Sequence, residues 1–428
     1  MIKASASAAI FRHGLSRMKS AAHTLAKAPK GRHPPEPSVR QMPPLCTHPM
    51  QPRCRETSLS TAGIDAGKMK SDNPAIRPRN RIYPAKREQL EDSDKDIEHI
   101  SIPASPTPVV SVIVPCYNHG EFLADALDSV RAQSWRDWEC IVVDDGSTDD
   151  TRNVATAFLE TDARFKYIHQ SNQGLSAARN AGISVCKGSY VQFLDSDDML
   201  QERKLEAQIT YLQKHPEIDI VYGNVRYFKE PAAVHSSVDE SKHRRMPQVS
   251  GAGVQILYPL LQRNIMVVNA PLLRKSVIND VDGFDQTLNG YEDWDYWIRC
   301  ALAGKRFQYV NEVAALALVR VRESSMSQNA FPMLMSRLQV REQLQNISLP
   351  SDLCKENGFR IGIILARLAQ FEFLNAKPRL GLRHSVLALR YVSANISIRI
   401  LLQFLALLVP TKITKSVTLA ARRLHILP

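Results

Sequence analysis

No run of 18 or more uncharged apolar residues occurs in this chain of 428 residues, so no segment has the length and hydropathy of a membrane-spanning helix. The best apolar stretch, 400–409, is too short and follows Arg399. Cysteine is sparse: the seven, at 46, 54, 116, 140, 186, 300 and 354, are odd in number, scattered, and include no C-x-x-C pair. That argues against a disulfide scaffold and a structural zinc site, and favours a reducing cytosol. Neither G-x-x-x-x-G-K-[ST] nor G-x-G-x-x-G is present, which argues against P-loop and dinucleotide enzymes. Acidic residues are absent before Glu36 and after Glu372.

That last absence accounts for the net charge of +12. Residues 1–80 carry +10 and those after Glu372 carry +9, whereas 81–372 carries −7. An acidic centre repels a phosphate backbone, so no nucleic-acid partner is expected. The ends are a separate matter. Residues 1–105 read as a disordered, basic, Pro-rich leader with little hydrophobic periodicity. Its first residues, rich in Ala, Ser, Arg and Lys, also have the composition of a transit peptide; an over-extended start is the third reading. Residues 329–428 form a basic, helical C-terminal region, in which 397–409 and 417–427 pair Leu/Ile-rich faces with Arg and Lys. Such helices suit peripheral contact with an anionic membrane, or a small subdomain packed on the core; both readings stand.

Between the ends, 106–328 alternates two periodicities. Residues 109–114, 139–143, 165–169 and 190–194 are short runs rich in apolar and β-branched residues, as buried strands require. Residues 122–133, 148–159, 174–184 and 202–214 carry helical spacing, with Thr148 or Ser147 as the expected cap of the second helix. The spacing predicts an α/β domain: a Rossmann-like, mostly parallel sheet flanked by helices, with ligands beyond the carboxyl ends of its strands. A loose polar insertion is expected over 229–250, and a further helix over 290–303.

The acidic clusters lie where such a fold places chemistry. Asp195-Ser196-Asp197-Asp198 closes the strand ending at Leu194. Two carboxylates two residues apart can converge on a hard cation, Mg2+ or Mn2+, and leave positions for phosphate oxygens. The plainer alternative is a solvated turn with Asp198 as a helix cap. Asp144 and Asp145 end an earlier strand and are placed to contact a base or ribose, or to cap the next helix. Glu292-Asp293-Trp294-Asp295 offers a third acidic group, with Trp294, Tyr296 and Trp297 available to stack on a sugar while a carboxylate removes a hydroxyl proton; the alternative is core aromatics beside a helix N-terminus. In the run 172–180, Arg179 would reach a diphosphate or pair with a core Asp.

In order along the chain, Val112-Ile-Val-Pro-Cys-Tyr-Asn118, Val143-Asp-Asp-Gly-Ser-Thr-Asp149, Gly174-Leu-Ser-Ala-Ala-Arg-Asn180 with Phe193-Leu-Asp-Ser-Asp-Asp198, and Gly283-Phe-Asp285 followed by Glu292-Asp-Trp-Asp295 resemble the family 2 glycosyltransferases, of GT-A fold. The resemblance covers about half the chain and implies a metal-dependent, inverting transfer from a nucleotide sugar (a UDP-sugar or similar) to an acceptor hydroxyl on a glycan or lipid-linked acceptor. It implies that Pro115, Tyr117, Asn118, Asp144, Asp145, Asn172, Arg179 and Asp195 line the donor site, that Asp197 of the D-x-D motif holds the metal, and that Asp293 is the general base with Glu292 and Trp294 near the acceptor. Where many members carry Tyr-Arg-x-His, this chain has Val319-Arg-Val-Arg322. Arginine cannot ligate a metal but can neutralise a diphosphate, so Arg322 is expected to support the leaving group.

The expected setting is cell-surface polysaccharide or glycan synthesis, in the cytoplasm or on the cytoplasmic face of a membrane. The alternatives are a catalytically silent nucleotide-sugar-binding module of an assembly complex, and a metal-dependent nucleotidyltransferase. The first would tolerate loss of Asp197 or Asp293, and the second needs a basic Gly loop that 115–120 lacks.

Overall fold

A computed structural model describes residues 98–100, 108–228, 246–312, 315–322, 329–375 and 377–391. The expected leader lies outside these residues, apart from the short strand β1 (Glu98–Ile100). The expected helices at 397–409 and 417–427, and most of the polar insertion, also lie outside them.

Strands β2 (Val110–Cys116) and β3 (Trp138–Asp144) are buried along their whole length. Their runs of Val and Ile resist helix formation through restricted side-chain rotation and pack well on both faces of a pleated sheet. Val112, Ile113, Val114, Ile141, Val142 and Val143 are fully buried, each contributing roughly 2 kcal/mol of transfer free energy. The helices α1 (Gly120–Arg131), α2 (Thr151–Thr161) and α3 (Leu175–Val185) alternate with β2, β3, β4 (Phe165–His169) and β5 (Tyr190–Phe193). Then follow β6 (Met199–Leu200), α4 (Lys204–Lys214), β7 (Ile220–Tyr222), β8 (Val225–Phe228), α5 (Val254–Gln262), β9 (Pro271–Arg274), α6 (Lys275–Asp280), α7 (Glu292–Leu302), β10 (Phe307–Tyr309) and β11 (Ala317–Arg320).

The large sheet has the order β1-β4-β3-β2-β5-β9-β7-β10. Strands β4, β3, β2, β5, β7 and β10 run one way, and β1 and β9 run against them. This is the mostly parallel, helix-flanked sheet that the sequence pattern predicts. The sequence pattern does not predict the second sheet, β6-β11-β8. Its strands span two to four residues, too few to display a period of their own. The second helix also corrects an expectation: its cap is Asp150, not Ser147 or Thr148, and that side chain makes no capping bond.

Three C-terminal helices follow, α8 (Ala330–Gln345), α9 (Ser351–Leu374) and α10 (Pro378–Tyr391). They build a small core of Leu338, Ile361, Ile364, Leu365, Leu368 and Ala388, while Val340, Leu344 and Leu353 join the main core. Arg341, fully buried, donates to the Leu261 carbonyl at the end of α5 and to Asn357 Oδ1, and lies over the Trp294 ring. The C-terminal helices are thus tied to the sheet domain by a buried cation.

Candidate active site

The sheet register pairs Cys116 with Asp144 and Asp144 with His169, so the loops after β2, β3 and β4 emerge at one edge. Asn118 adopts φ +52, a left-handed conformation that asparagine tolerates better than most residues. Its Oδ1 accepts from the Thr148 backbone N–H at 2.8 Å, and its own N–H donates to Ser147 Oγ at 2.9 Å. Gly146 has φ +78, and a Cβ there would lie 2.8 Å from the Asn172 nitrogen. The three loops therefore pack on one another, leaving Tyr117, Asn118 and Asn172 exposed at their rim.

Two expected donor contacts lie deeper than the sequence suggests. Pro115 is buried within β2, opposite Val143. Its missing N–H is tolerated because the ladder to β5 ends at Ile113, and its role is to shape the strand end. Asp144 accepts from Ser147 N–H and Tyr167 O–H, and Asp145 from Gln170 Nε2 and the Gln173 and Gly174 backbone N–H groups. Both carboxylates are buried. These aspartates set the position of the segment that leads into α3.

The D-x-D turn is held from beneath. Asn269, buried, accepts the Asp195 N–H at 2.8 Å through Oδ1 and donates through Nδ2 to Asp198. Asp198 also accepts the Arg320 N–H at 2.7 Å, so it is an anchor and not a helix cap. Arg320 donates onward to the Asp197 carbonyl and to Asp125 on α1. Below lies Lys204, fully buried, donating to Gln192 and Gln208; burial without a carboxylate partner holds its amine well below the usual lysine range. Gln192 and Gln208 in turn donate to the Asn269 and Ala270 carbonyls. The one visible signal for this network was Asn269, a polar residue interrupting an apolar run.

Of the two expectations for Arg179, the structure shows the pairing with an Asp. It is 1% exposed and forms ion pairs with Asp195 and Glu292, both at 2.7 Å. The guanidinium joins the turn after β5 to the start of α7. Glu292, expected near the acceptor, is correspondingly buried against Arg179. Trp294 is 0% exposed, donates to the Leu260 carbonyl and is covered by Arg341, so its ring is a core element and cannot stack on a sugar. Tyr296 and Trp297 are equally buried.

Asp293, by contrast, is only partly buried. Its Oδ2 accepts from Asn264 Nδ2 at 2.8 Å and its Oδ1 from the Trp294 N–H at 2.6 Å. Burial, followed by the charge of Glu292, pushes its carboxyl up to about 7 against the opposing effects of Asn264 and Arg179. The residue before the helix, Tyr291, has φ +59, an uncommon conformation for an aromatic side chain and one that costs about 1 kcal/mol. Tyr291 packs edge-on against Trp294.

Asp197 faces Arg322, whose Nη2 lies 2.5 Å from Asp197 Oδ2 and 3.1 Å from His119 Nε2. Because arginine can only donate, His119 Nε2 accepts, and Nδ1–H then donates to Ser196 Oγ at 2.9 Å. Burial holds His119 below the usual histidine range although Asp197 pulls it up, which agrees with a neutral ring. His119 was not singled out from the sequence; it becomes visible only when α1 and the D-x-D turn meet.

Asp195 and Asp197 each pair with an arginine through one oxygen. No group of three His, Cys, Asp or Glu side chains able to hold a metal ion occurs among the described residues. Two carboxylates on one turn are a donor set of the size that Mg2+ or Mn2+ takes beside substrate phosphates. Arg322 Nε is buried with no hydrogen-bond partner among the described residues, a donor suited to a phosphate oxygen.

Residues 111–259 match the family described as glycosyl transferase family 2. This segment belongs to that family. Among similar proteins, a glycosyltransferase named GlyG from Streptococcus pneumoniae serotype 4 is 39% identical over 123 residues, which cover 28% of this chain and 40% of that protein. An uncharacterized glycosyltransferase, RP339 of Rickettsia prowazekii, is 32% identical over 199 residues, covering 45% of this chain and 58% of its own. The chain thus spans less than two thirds of the length of these relatives. Among solved structures, S. aureus TarS residues 1–349 in complex with UDP-GlcNAc aligns with a TM-score of 0.49 at 19% identity, covering 74% of this chain and 88% of that one.

Proposed function

We propose that this chain is an inverting glycosyltransferase that moves a sugar from a nucleoside-diphosphate sugar to an acceptor hydroxyl in glycan or surface-polysaccharide synthesis. The observation that carries this reading is the ion-pair bridge that joins the D-x-D turn to the start of α7, Arg179 pairing with both Asp195 and Glu292, with Asp293 next in the chain and its carboxyl pushed up to about 7. A base is most effective when its pKa lies near the working pH.

In this reading the donor lies across the rim formed by Tyr117, Asn118 and Asn172, with its ribose and diphosphate over Asp195, Asp197 and Arg322. Asp293 takes the proton of the acceptor hydroxyl as that oxygen attacks the anomeric carbon from the face opposite the leaving group. The carbon–oxygen bond to the diphosphate breaks in the same step, and both its electrons leave with the diphosphate. Arg322 turns from Asp197 to the departing phosphate, a donor matched to its planar charge. A divalent ion held by Asp197, with Asp195 and phosphate oxygens, would neutralise the leaving group.

The test is Asp293→Asn. Transfer should fall by about 100-fold to 10000-fold while calorimetry shows donor binding near wild type. For the wild-type enzyme kcat/KM should rise tenfold per pH unit below about 7 and level off above it. Transfer persisting within a few-fold in the variant would remove Asp293 from the role of base.

A further inference from the structure

The last described helix, α10, has two unlike sides. Gly381, Ser385 and Ala388 are buried, and the approach to α9 is close: a Cβ on Gly381 would lie 2.9 Å from the Phe373 ring and 3.1 Å from the Ala369 carbonyl oxygen. The outward side carries Leu382, Val386 and Leu389, which are 60%, 49% and 47% exposed and share one stripe at i, i+4 and i+7. Arg379, Arg383 and Arg390, all exposed, form a second stripe about 75° further round the helix.

This concentration is unusual within the molecule. Besides these three and Leu380 on the same helix, the exposed large hydrophobic residues among the described ones are Tyr117 at the candidate active site and Val254 and Tyr258 on α5. No Asp or Glu occurs on α10 or anywhere after Glu372, so no carboxylate on its own helix neutralises the arginine stripe. A protein partner would have to offer an apolar groove and three carboxylates at matching positions. An anionic bilayer supplies negative charge at any spacing with apolar depth directly beneath it, and arginine stems reach from one layer to the other.

We propose that the outward face of α10 seats the protein on an anionic lipid surface. Leu382, Val386 and Leu389 enter the headgroup boundary, and Arg379, Arg383 and Arg390 engage lipid phosphates. This inference does not rest on the sugar-transfer reading, since it concerns residues outside the candidate active site.

The experiment is partition of the full chain onto phosphatidylcholine vesicles with and without phosphatidylglycerol, by co-sedimentation. The protein should bind the anionic vesicles and largely ignore the neutral ones. Replacing all three arginines, Arg379→Gln with Arg383→Gln and Arg390→Gln, should weaken partition about 100-fold, from about fivefold per arginine. The set Leu382→Ser, Val386→Ser and Leu389→Ser should weaken it comparably. Leu382→Trp gives a reading that needs no loss of binding: its fluorescence should shift to the blue only with anionic vesicles. Donor binding in solution should be unchanged in every variant, which separates this test from that of the transferase. Absence of wild-type partition, or wild-type partition by both triple variants, would overturn the proposal. So would a serine variant that converts a dimer to a monomer without changing partition, which would assign the face to a second copy of the chain.

Discussion

At the residue scale, Asp293 carries two opposed demands. A carboxyl whose folded-state pKa is about 7 against an ordinary 3.8 binds its proton more tightly in the folded state. It favours folding fully below pH 3.8, and that contribution is lost as pH rises through about 7. At pH 8 the ionised group therefore works against the fold, by about 1–4 kcal/mol. Asp293→Asn, which keeps an acceptor for Asn264, should raise the melting temperature at pH 8, and the gain should vanish near pH 4. Melts across that range check the sign; a gain independent of pH would contradict the account. Arg322 and Asp197 show a second tension. Asp197→Ala should abolish metal-dependent binding of a nucleoside diphosphate, as read by calorimetry. Arg322→Ala should weaken diphosphate binding by about tenfold to 100-fold, the range for loss of one or two charge-assisted hydrogen bonds, while leaving Mn2+ binding intact or stronger.

At the element scale, the candidate site depends on one helix holding a strand end and a second helix in register. Arg179 on α3 neutralises Asp195 after β5 and Glu292 at the start of α7. Arg179→Met would leave two neighbouring carboxylates without their shared cation, at a cost of about 3–5 kcal/mol. Because Arg179 also lowers the pKa of Asp293, the lower limb of the pH–rate profile should move to higher pH, a change that general loosening would not produce. Arg179→Lys should recover part of both effects. The alternation of strands and helices around Arg179 was legible in the sequence, since each element is long enough to show its own period. The D-x-D support was not. Asn269, Asp198 and Arg320 come from three separate segments, and nothing local marks Asp198 as buried.

At the scale of the whole molecule, a buried cation ties the C-terminal helices to the sheet domain. Arg341 bonds Leu261 and Asn357 and covers Trp294, the residue next to Asp293. Arg341→Ala should destabilise the protein by about 3–5 kcal/mol; denaturant unfolding followed by tryptophan fluorescence checks it. The chain's order of apolar, Gly-containing and acidic segments was enough to determine a mostly parallel α/β sheet and to single out Asp195, Asp197 and Asp293 as candidates. Those features depend on local periodicity and on short motifs, which a linear reading contains. Which acids remain available to a ligand, and which arginine neutralises which carboxylate, was decided only by folding. Burial and charge pairing arise between residues distant in the chain, so Arg179, Trp294 and Asp198 took their roles from neighbours that the sequence does not set beside them.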